Sequence, residues 1–155
     1  MIHHNTKRVV EMKKIKIKRF DKNIPLPAYQ TKNAAGLDLH TRETVEIKPG
    51  TIGYVPLNIA VETPRNHFFI IAARSSTHKL GLMPIHGIGI GDPDFRGNED
   101  EYKMPLYNFT NQKVIVEKGA RIAQGLFVKF VKTDWQEVSK MKSKTRGGFG
   151  TTGKK

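Results

Sequence analysis

The sequence has no cysteine and no long run of apolar residues. Without cysteine, neither a disulfide scaffold nor a thiolate-ligated metal site can form. No apolar segment approaches the roughly 20 residues that a membrane-spanning helix needs. The basic segment Met1–Arg19 is interrupted by charges and lacks the apolar centre of a secretory signal. These absences favour a soluble protein, which we expect to be cytoplasmic and independent of membranes.

Helical periodicity is also scarce, since no window keeps it for more than about two turns. Short apolar or alternating segments, separated by turns rich in proline, glycine and asparagine, instead predict β-strands. Segment Ser76–Leu82 is predicted to be a short helix or a loop. A chain of 155 residues with this pattern predicts one all-β domain, a β-sandwich or a closed β-barrel. The predicted strands are Lys14–Lys18 (with the isoleucine face buried), Thr51–Val61, His67–Ala73, Met104–Phe109, Val114–Val116 and Ile122–Phe130.

The formal net charge of +13 is large for this length. Such a charge is compatible with nucleic-acid binding or with attraction of a small polyanionic substrate. Positive residues concentrate at the two ends, Lys7–Arg19 and Lys129–Lys155, whereas Asn98–Glu101 is acidic and expected to be solvated. The last segment, Lys140–Lys155, is rich in lysine, glycine and threonine and cannot bury enough apolar surface to fold alone. It is either a disordered end or an arm that becomes ordered on a ligand.

Segment Gly89–Gly97 places two aspartates among glycines and predicts a β-hairpin with an unusually bare backbone. Backbone without side chains can approach a flat ligand and bond its edge. Asp92 in such a turn can hold and polarise a water molecule as a general base. The simpler interpretation, which this segment alone favours, is that aspartate and glycine are common turn residues.

Two further segments carry groups suited to phosphate. Arg74, Ser75 and Ser76 follow a buried strand and can grip phosphate oxygens, although a surface arginine before a helix cap explains them equally well. Segment Arg146–Gly153 combines positive charge, glycines, an aromatic ring and hydroxyls. Its glycine backbone could wrap anionic oxygens and Phe149 could stack on a base, and the alternative is a low-complexity terminus.

Taken in order, these segments resemble the five motifs of the trimeric dUTP diphosphatase (dUTPase) family. The third and fifth matches are the most specific, and together the five span most of the chain. The matching segments are Ala35–Leu39, Arg74–Ser76 with Gly81–Leu82, Gly89–Gly97, Arg121–Gln124 and Gly148–Gly153.

The resemblance implies a jelly-roll-like β-barrel subunit and a homotrimer whose active sites are shared between chains. The domain would span residues 1–139, and the glycine-rich arm 140–155 would be flexible and close the active site. The reaction implied is hydrolysis of dUTP to dUMP and pyrophosphate, with Mg²⁺ held by substrate phosphates and waters and with no direct protein ligand. This mode of binding agrees with the reluctance of Mg²⁺ to lose water.

The resemblance also implies a role for each matching residue. Asp92 would activate the water that attacks the α-phosphorus, and Asp38 would support the phosphate site together with Arg74. The ring of Phe95 would exclude a 2′-hydroxyl. Backbone groups around Gly89, Ile90 and Gly91 would bond the uracil edge. The remaining substrate contacts would come from Ser75, Ser76, Gln124, Arg146, Phe149, Gly150, Thr151 and Thr152.

Four positions depart from the family pattern, and at one of them Thr151 replaces the usual serine and keeps the hydroxyl. Gly91 stands where the family usually has a branched apolar residue before the aspartate, and Phe95 stands where it has a tyrosine. In the fifth motif Lys144 occupies the usual arginine position, and Arg146 lies closer to Phe149. Either basic side chain could therefore bind phosphates.

Three other functions remain open. A dCTP deaminase, alone or bifunctional, shares this fold and an Arg-Ser-Ser motif. Its glutamate, however, would fall on Pro105, which cannot act as an acid or base. A basic β-barrel could instead bind nucleic acid or serve as a regulatory module, yet aromatics interleaved with basic residues on one strand face are not obvious. The departures at Gly91 and Phe95 also leave room for an inactive relative.

Overall fold

The computed structural model describes residues 13–148. Within this range the chain forms eleven β-strands and one short 3₁₀ helix, η1, which confirms the all-β prediction. The elements are β1 (Ile17–Arg19), β2 (Leu37–His40), β3 (Val45–Ile47), β4 (Ile52–Pro56), β5 (Ile59–Val61), β6 (His67–Ala73), η1 (Thr77–Leu80), β7 (Leu82–Pro84), β8 (Gly89–Gly91), β9 (Lys103–Asn108), β10 (Val114–Val116) and β11 (Arg121–Lys129).

The strands form four small antiparallel sheets in a jelly-roll-like arrangement. The largest has the order β2-β11-β6-β8, a second has the order β4-β9-β7, and β1 pairs with β5 and β3 with β10. Apolar side chains from these sheets meet in one buried cluster, which includes Leu39, Phe69, Leu106 and Ile122. Burial of such side chains is the main stabilising contribution for a domain of this size.

Continuous apolar runs predict their strands well. The predictions for β6 and β10 are confirmed, and those for β9 and β11 are displaced by one residue. The short helix predicted within Ser76–Leu82 is η1. Strands β2, β3 and β7 are not predicted from the sequence, because each has only three or four residues and lacks a continuous β-branched run such as that of β10.

The predicted strand Thr51–Val61 is interrupted at Asn58 and becomes β4 and β5. Asn58 has a φ of 66°, in the left-handed region that asparagine tolerates better than most residues. Its buried side chain accepts a hydrogen bond from Asp21 N at 2.6 Å and donates one to Asp21 O at 3.0 Å. The turn at Asn58 therefore divides one continuous stretch of chain into strands of two different sheets, with β4 pairing β9 and β5 pairing β1.

The expectation of a buried isoleucine face on β1 is wrong for Ile17, which is 37% exposed. Strand β1 pairs only with β5 among the described residues, so little of the domain covers it. Ile17 instead lines an apolar surface groove of about 270 Å³ together with Ile15, Leu26, Tyr29 and Phe127.

The hairpin predicted around Gly89–Gly97 is also wrong. Strand β8 pairs with β6, whereas β9 pairs with β4 and β7, so β8 and β9 belong to different sheets. The bare glycine segment fits beside β6, and an eleven-residue connection then returns the chain to β9. Segment Gly89–Gly97 is called the Asp92 turn below.

Beyond β11, residues 130–148 contain neither helix nor strand. Apolar side chains in this stretch are strongly exposed, with Trp135 at 91% and Val131 at 83%. The division into a domain over 1–139 and an arm over 140–155 stays a prediction. The proposed substrate contacts of Phe149, Gly150, Thr151 and Thr152 lie outside the described residues.

The turn at Asn58 gives a test of the fold. We expect Asn58→Ala to lower the free energy of unfolding by about 2–4 kcal/mol, because it removes two buried hydrogen bonds and places alanine in a left-handed conformation. Asn58→Gly loses the same bonds without that strain and should cost about 1 kcal/mol less. Urea denaturation measures both variants.

Asn66→Ala is the matched control, since Asn66 is exposed in a loop. Its unfolding free energy should stay within about 0.5 kcal/mol of the unsubstituted protein. A glycine variant at position 58 that is no more stable than the alanine variant would contradict the role given to the left-handed turn.

Candidate active site

A surface cleft of about 630 Å³ has the Asp92 turn as one wall. The predicted residues Gly89, Ile90, Gly91, Asp92 and Phe95 all line this cleft, together with Tyr54, His86 and Tyr102 among others. A cleft of this size with a few polar groups on an otherwise apolar lining is typical of small-molecule sites.

Strand β8 is the edge strand of its sheet among the described residues, because only β6 lies beside it. Gly91 lies opposite Phe69 and Gly89 lies opposite Ile71 in the register. One edge of β8 is thus paired, and the other is free to bond a ligand through backbone groups. Without side chains at Gly89 and Gly91, the backbone remains accessible to a flat molecule.

Local hydrogen bonds shape the turn that follows. Phe95 N donates to Asp92 O at 3.1 Å, and Arg96 N donates to Asp94 O at 3.0 Å. Gly97 N donates to the Asp100 carboxylate at 2.6 Å. Asp92 is exposed at the cleft and takes part in none of the ion pairs formed within residues 13–148. Its carboxylate is therefore available to a water molecule or a substrate.

Phe95 rests on a buried tyrosine. Its ring is 38% exposed and meets the ring of Tyr102 edge-on, with centroids 5.0 Å apart. Burial raises the pKa of the Tyr102 phenol, and the nearby Thr63 side chain opposes only part of that shift. Neither the Tyr102 hydroxyl nor the Thr63 hydroxyl has a hydrogen-bond partner in the described part of the chain. Tyr102 thus acts as a neutral packing surface beneath Phe95.

A second group of polar residues gathers around Asp38, which is 6% exposed on β2. One carboxylate oxygen accepts a hydrogen bond from Arg74 Nε at 3.1 Å, and the other accepts one from Arg121 Nη1 at 3.2 Å. Arg74 Nη1 also donates to Arg121 O at 3.2 Å. Asp38 orients both guanidinium groups while leaving a net positive charge, which suits an anionic ligand.

Adjacent strands explain why this group forms. Strand β11 lies between β2 and β6, so segments distant in sequence end side by side. Gln124 on β11 donates from Nε2 to Ala73 O at 3.1 Å, directly before Arg74. Ser75 and Ser76 are exposed after β6, and Ser76 occupies the N-cap position of η1 without a side-chain capping bond. Both serine hydroxyls can therefore face a ligand.

Two residues of this group are not predicted from the sequence as site residues. Arg121 stands in the segment Arg121–Gln124, whose resemblance could have drawn attention to it. His40 pairs with Arg121 in the sheet, and its Nδ1 is buried without a partner among the described residues. Burial lowers the pKa of His40, and the Arg121 and Arg74 charges lower it further against the opposing effect of Asp38. His40 therefore stays neutral at neutral pH.

The two groups do not line one cleft in a single chain. The Asp92 cleft is lined by none of the predicted residues Asp38, Arg74, Ser75, Ser76 and Gln124. Arg146 is exposed and does not line it either. Within one described chain, the residues around Asp92 and those around Asp38 thus form two separate groups, which are called the two half-sites below.

The acidic segment Asn98–Glu101 is only partly solvated, which corrects the expectation from its charge. Asn98 and Glu99 are exposed, but the Glu101 side chain is only 8% exposed. Glu101 Oε1 accepts hydrogen bonds from Arg42 Nε at 2.8 Å and from Asn58 N at 3.0 Å. These bonds tie the far end of the connection to the β4-β5 junction.

Two absences hold for residues 13–148. In this range no helix is both long and apolar enough to cross a membrane. Nor do three or more histidine, aspartate or glutamate side chains come together there in a group that could hold a metal ion.

Comparison with known proteins shows the family of this chain. The model of the dUTPase family matches residues 22–153. A deoxyuridine 5′-triphosphate nucleotidohydrolase from Nautilia profundicola is 38% identical over 144 residues, which cover 91% of this chain and 99% of that protein. The enzyme of the same name from Leptospira interrogans is 39% identical over 147 residues, covering 90% and 99%.

A solved structure shows the same fold. The crystal structure of dUTPase from Streptococcus mutans superposes with a TM-score of 0.70 at 31% identity, covering 77% of this chain and 98% of that chain. The family model matches far more than half of the sequence, and the relatives match over nearly their full length. This chain therefore belongs to the dUTPase family.

Proposed function

We propose that this protein is a dUTP diphosphatase, which hydrolyses dUTP to dUMP and pyrophosphate. The observation that carries the proposal is the Asp92 cleft, where an exposed carboxylate, a bare strand edge and an aromatic ring line one space. Its membership of the dUTPase family supports the same conclusion.

The base and sugar occupy the cleft. The free backbone edge at Gly89, Ile90 and Gly91 bonds the uracil edge and rejects cytosine by mismatched donors and acceptors. The deoxyribose packs on the Phe95 ring, which leaves no room for a 2′-hydroxyl. This exclusion needs the plane of the ring, and phenylalanine supplies it as well as tyrosine does.

Asp92 activates the attacking water. The water oxygen forms a bond to the α-phosphorus, and the bond from that phosphorus to the bridging oxygen breaks, so pyrophosphate leaves. Asp92 accepts the proton of the water as a general base. The exposed, unpaired carboxylate supports this role, since no ion pair within the described residues competes for it.

The phosphates bind to the second half-site, which another chain supplies. Arg74, Ser75, Ser76 and Gln124 offer charge and hydrogen-bond donors there, and Asp38 and Arg121 hold Arg74 in place. The arm closes the site, with Arg146 or Lys144 and the hydroxyls of Thr151 and Thr152 at the phosphates and Phe149 over the base.

A homotrimer accounts for the two separate half-sites. It also accounts for apolar surface that one chain leaves uncovered, such as the groove at Ile17, Leu26 and Tyr29 and the exposed Trp135. Exposed apolar patches of this kind commonly mark protein interfaces. The cytoplasmic location expected from the sequence stays a prediction.

Mg²⁺ would be held mainly by the phosphate oxygens of the substrate and by water, with no direct protein ligand, in agreement with its reluctance to lose water. When bound, the ion offsets negative charge on the triphosphate. This chain's own residues contribute by positioning the triphosphate and by the charge of the arginines.

The rival dCTP deaminase activity finds no support in the cleft. Pro105, where the deaminase glutamate would lie, is buried on β9 and lines the cleft without any ionisable group. The net charge of +13 is compatible with nucleic-acid binding, but it equally attracts a tetra-anionic nucleotide.

A nucleotide panel tests the activity. With Mg²⁺, we expect pyrophosphate release from dUTP to be at least about 100-fold faster in kcat/KM than from UTP, dCTP or dTTP. Cytosine presents mismatched donors and acceptors, Phe95 leaves no room for the 2′-hydroxyl of UTP, and the 5-methyl group of dTTP adds bulk in the cleft. Chelation of the metal should stop the reaction. Equal rates on UTP and dUTP would refute sugar exclusion by Phe95, and ammonia from dCTP would favour the deaminase.

Replacement of the general base tests the mechanism. We expect Asp92→Asn to lower kcat by about 100-fold or more while the KM for dUTP changes little, since a positioned general base contributes about 10²–10⁴-fold. Asp94→Asn is the matched control, because Asp94 is exposed in the same turn but does not line the cleft. Full activity of Asp92→Asn would remove Asp92 from the mechanism.

Mixing two inactive variants tests whether sites are shared. Asp92→Asn damages one half-site and Arg74→Gln damages the other, so each protein alone should be nearly inactive. Trimers assembled from both chains should regain activity, because some sites then combine an intact Asp92 from one chain with an intact Arg74 from another. No recovery in co-expressed trimers would show that each site is built within one chain.

A further inference from the structure

Gly91 is required for space and not for its backbone conformation. Its φ is not among the positive values that glycine adopts in this chain. A Cβ atom at this position would instead collide with the side chain of Tyr102, coming closest to the hydroxyl and lying 2.6 Å from Cε1 and 2.8 Å from Cζ. Real Cβ atoms are not found so close to ring carbons, so a larger residue would force the ring to move.

Tyr102 has little freedom to move. Its N donates to Ile59 O at 3.0 Å and its O accepts from Leu57 N at 2.9 Å, which fixes its backbone at the β4-β5 junction. Its ring is packed against Phe69 on one side, with centroids 5.3 Å apart, and against Phe95 on another. The residue is only 5% exposed.

This arrangement couples two residues of the cleft. Gly91 directly precedes Asp92 in the chain, and Tyr102 carries the ring on which Phe95 rests. Any displacement between Gly91 and Tyr102 therefore changes the place of the carboxylate, of the phenylalanine ring, or of both. Misplacement of about 1 Å in a catalytic geometry can cost roughly 100-fold in rate.

We propose that Tyr102 is a positioning residue for the Asp92 turn, and that the missing side chain at Gly91 is the space into which its phenol fits. The pair sets the distance between the general base and the ring that excludes the 2′-hydroxyl. This inference rests on the proposed function, since it assigns residues to the hydrolysis of dUTP.

Three variants test the pair: Gly91→Ala, Tyr102→Leu and the double variant. Gly91→Ala should lower kcat on dUTP by about tenfold or more and reduce the preference for dUTP over UTP, because the ring and the turn are pushed apart. Leucine ends short of the ring atoms that collide. The double variant should therefore recover part of the lost kcat. Its preference for dUTP over UTP should stay reduced, because Phe95 no longer packs against the Tyr102 ring.

Gly53→Ala is the matched control for a collision elsewhere. A Cβ there would lie 2.6 Å from Ile47 Cγ1 and 2.9 Å from Cδ1, and Gly53 does not line the cleft. This variant should lower the Tm while kcat and the dUTP preference of the folded protein stay unchanged. A purely structural role for Tyr102 would make Gly91→Ala behave in the same way, which would overturn the proposal.

The recovery in the double variant is the second decisive result. A double variant that is no better in kcat than Gly91→Ala would also overturn the proposal. If the unsubstituted protein fails to hydrolyse dUTP, the proposed function fails, and the contact is then tested by thermal denaturation alone. The Tm lost on Gly91→Ala should be smaller in the Tyr102→Leu background, and equal losses would show that the two positions do not interact.

Discussion

Two strand positions without side chains, Gly91 and Gly125, set the packing on which both core and cleft depend. A Cβ at Gly125 would come within 2.7 Å of Phe69 Cε2, just as one at Gly91 would collide with Tyr102. The bare positions admit a continuous series of rings, with centroid separations of 4.7 Å for Phe127 to Phe69, 5.3 Å for Phe69 to Tyr102 and 5.0 Å for Tyr102 to Phe95. The series runs from Phe127, which is partly buried against the core, through the buried Phe69 and Tyr102 to Phe95 at the cleft. Because close-packed interiors transmit displacement, the position of Phe95 depends on residues that no ligand would touch.

The second half-site depends on charge in place of packing. Asp38 is nearly buried and would be costly to leave alone, but two arginines satisfy its two oxygens. Strand order makes this possible, since β11 brings Arg121 and Gln124 between β2 and β6. One half-site is thus closely packed and mostly apolar, suited to a base and sugar, and the other is positive, suited to phosphates. Their separation in a single chain agrees with the trimer that the resemblance implies, and an interface in such a trimer would cover the exposed apolar groove at Ile17.

The sequence predicts the parts of the fold whose signal is local. The apolar run His67–Ala73 is long enough to specify β6 by itself. The break at Asn58 is not visible, because the left-handed turn depends on hydrogen bonds to Asp21, 37 positions earlier. The hairpin prediction failed for a similar reason, since β8 pairs with β6, a strand much earlier in the sequence, and not with the strand that follows it. The individual site segments were ambiguous when read singly, and only their order revealed the family. Tyr102 and Arg121 are not predicted as site residues, because their roles follow from contacts that exist only in the folded chain.

The proposed sharing of each active site between the chains of a trimer is the claim on which the account of function rests. A crystal structure of the trimer with a non-hydrolysable deoxyuridine triphosphate analogue and Mg²⁺ tests it most directly. The account predicts uracil and deoxyribose in the Asp92 cleft of one subunit, over Phe95, with the phosphates on Arg74, Ser75 and Gln124 of a neighbour. An analogue bound away from the Asp92 turn, or contacted by both half-sites of the same chain, would contradict it.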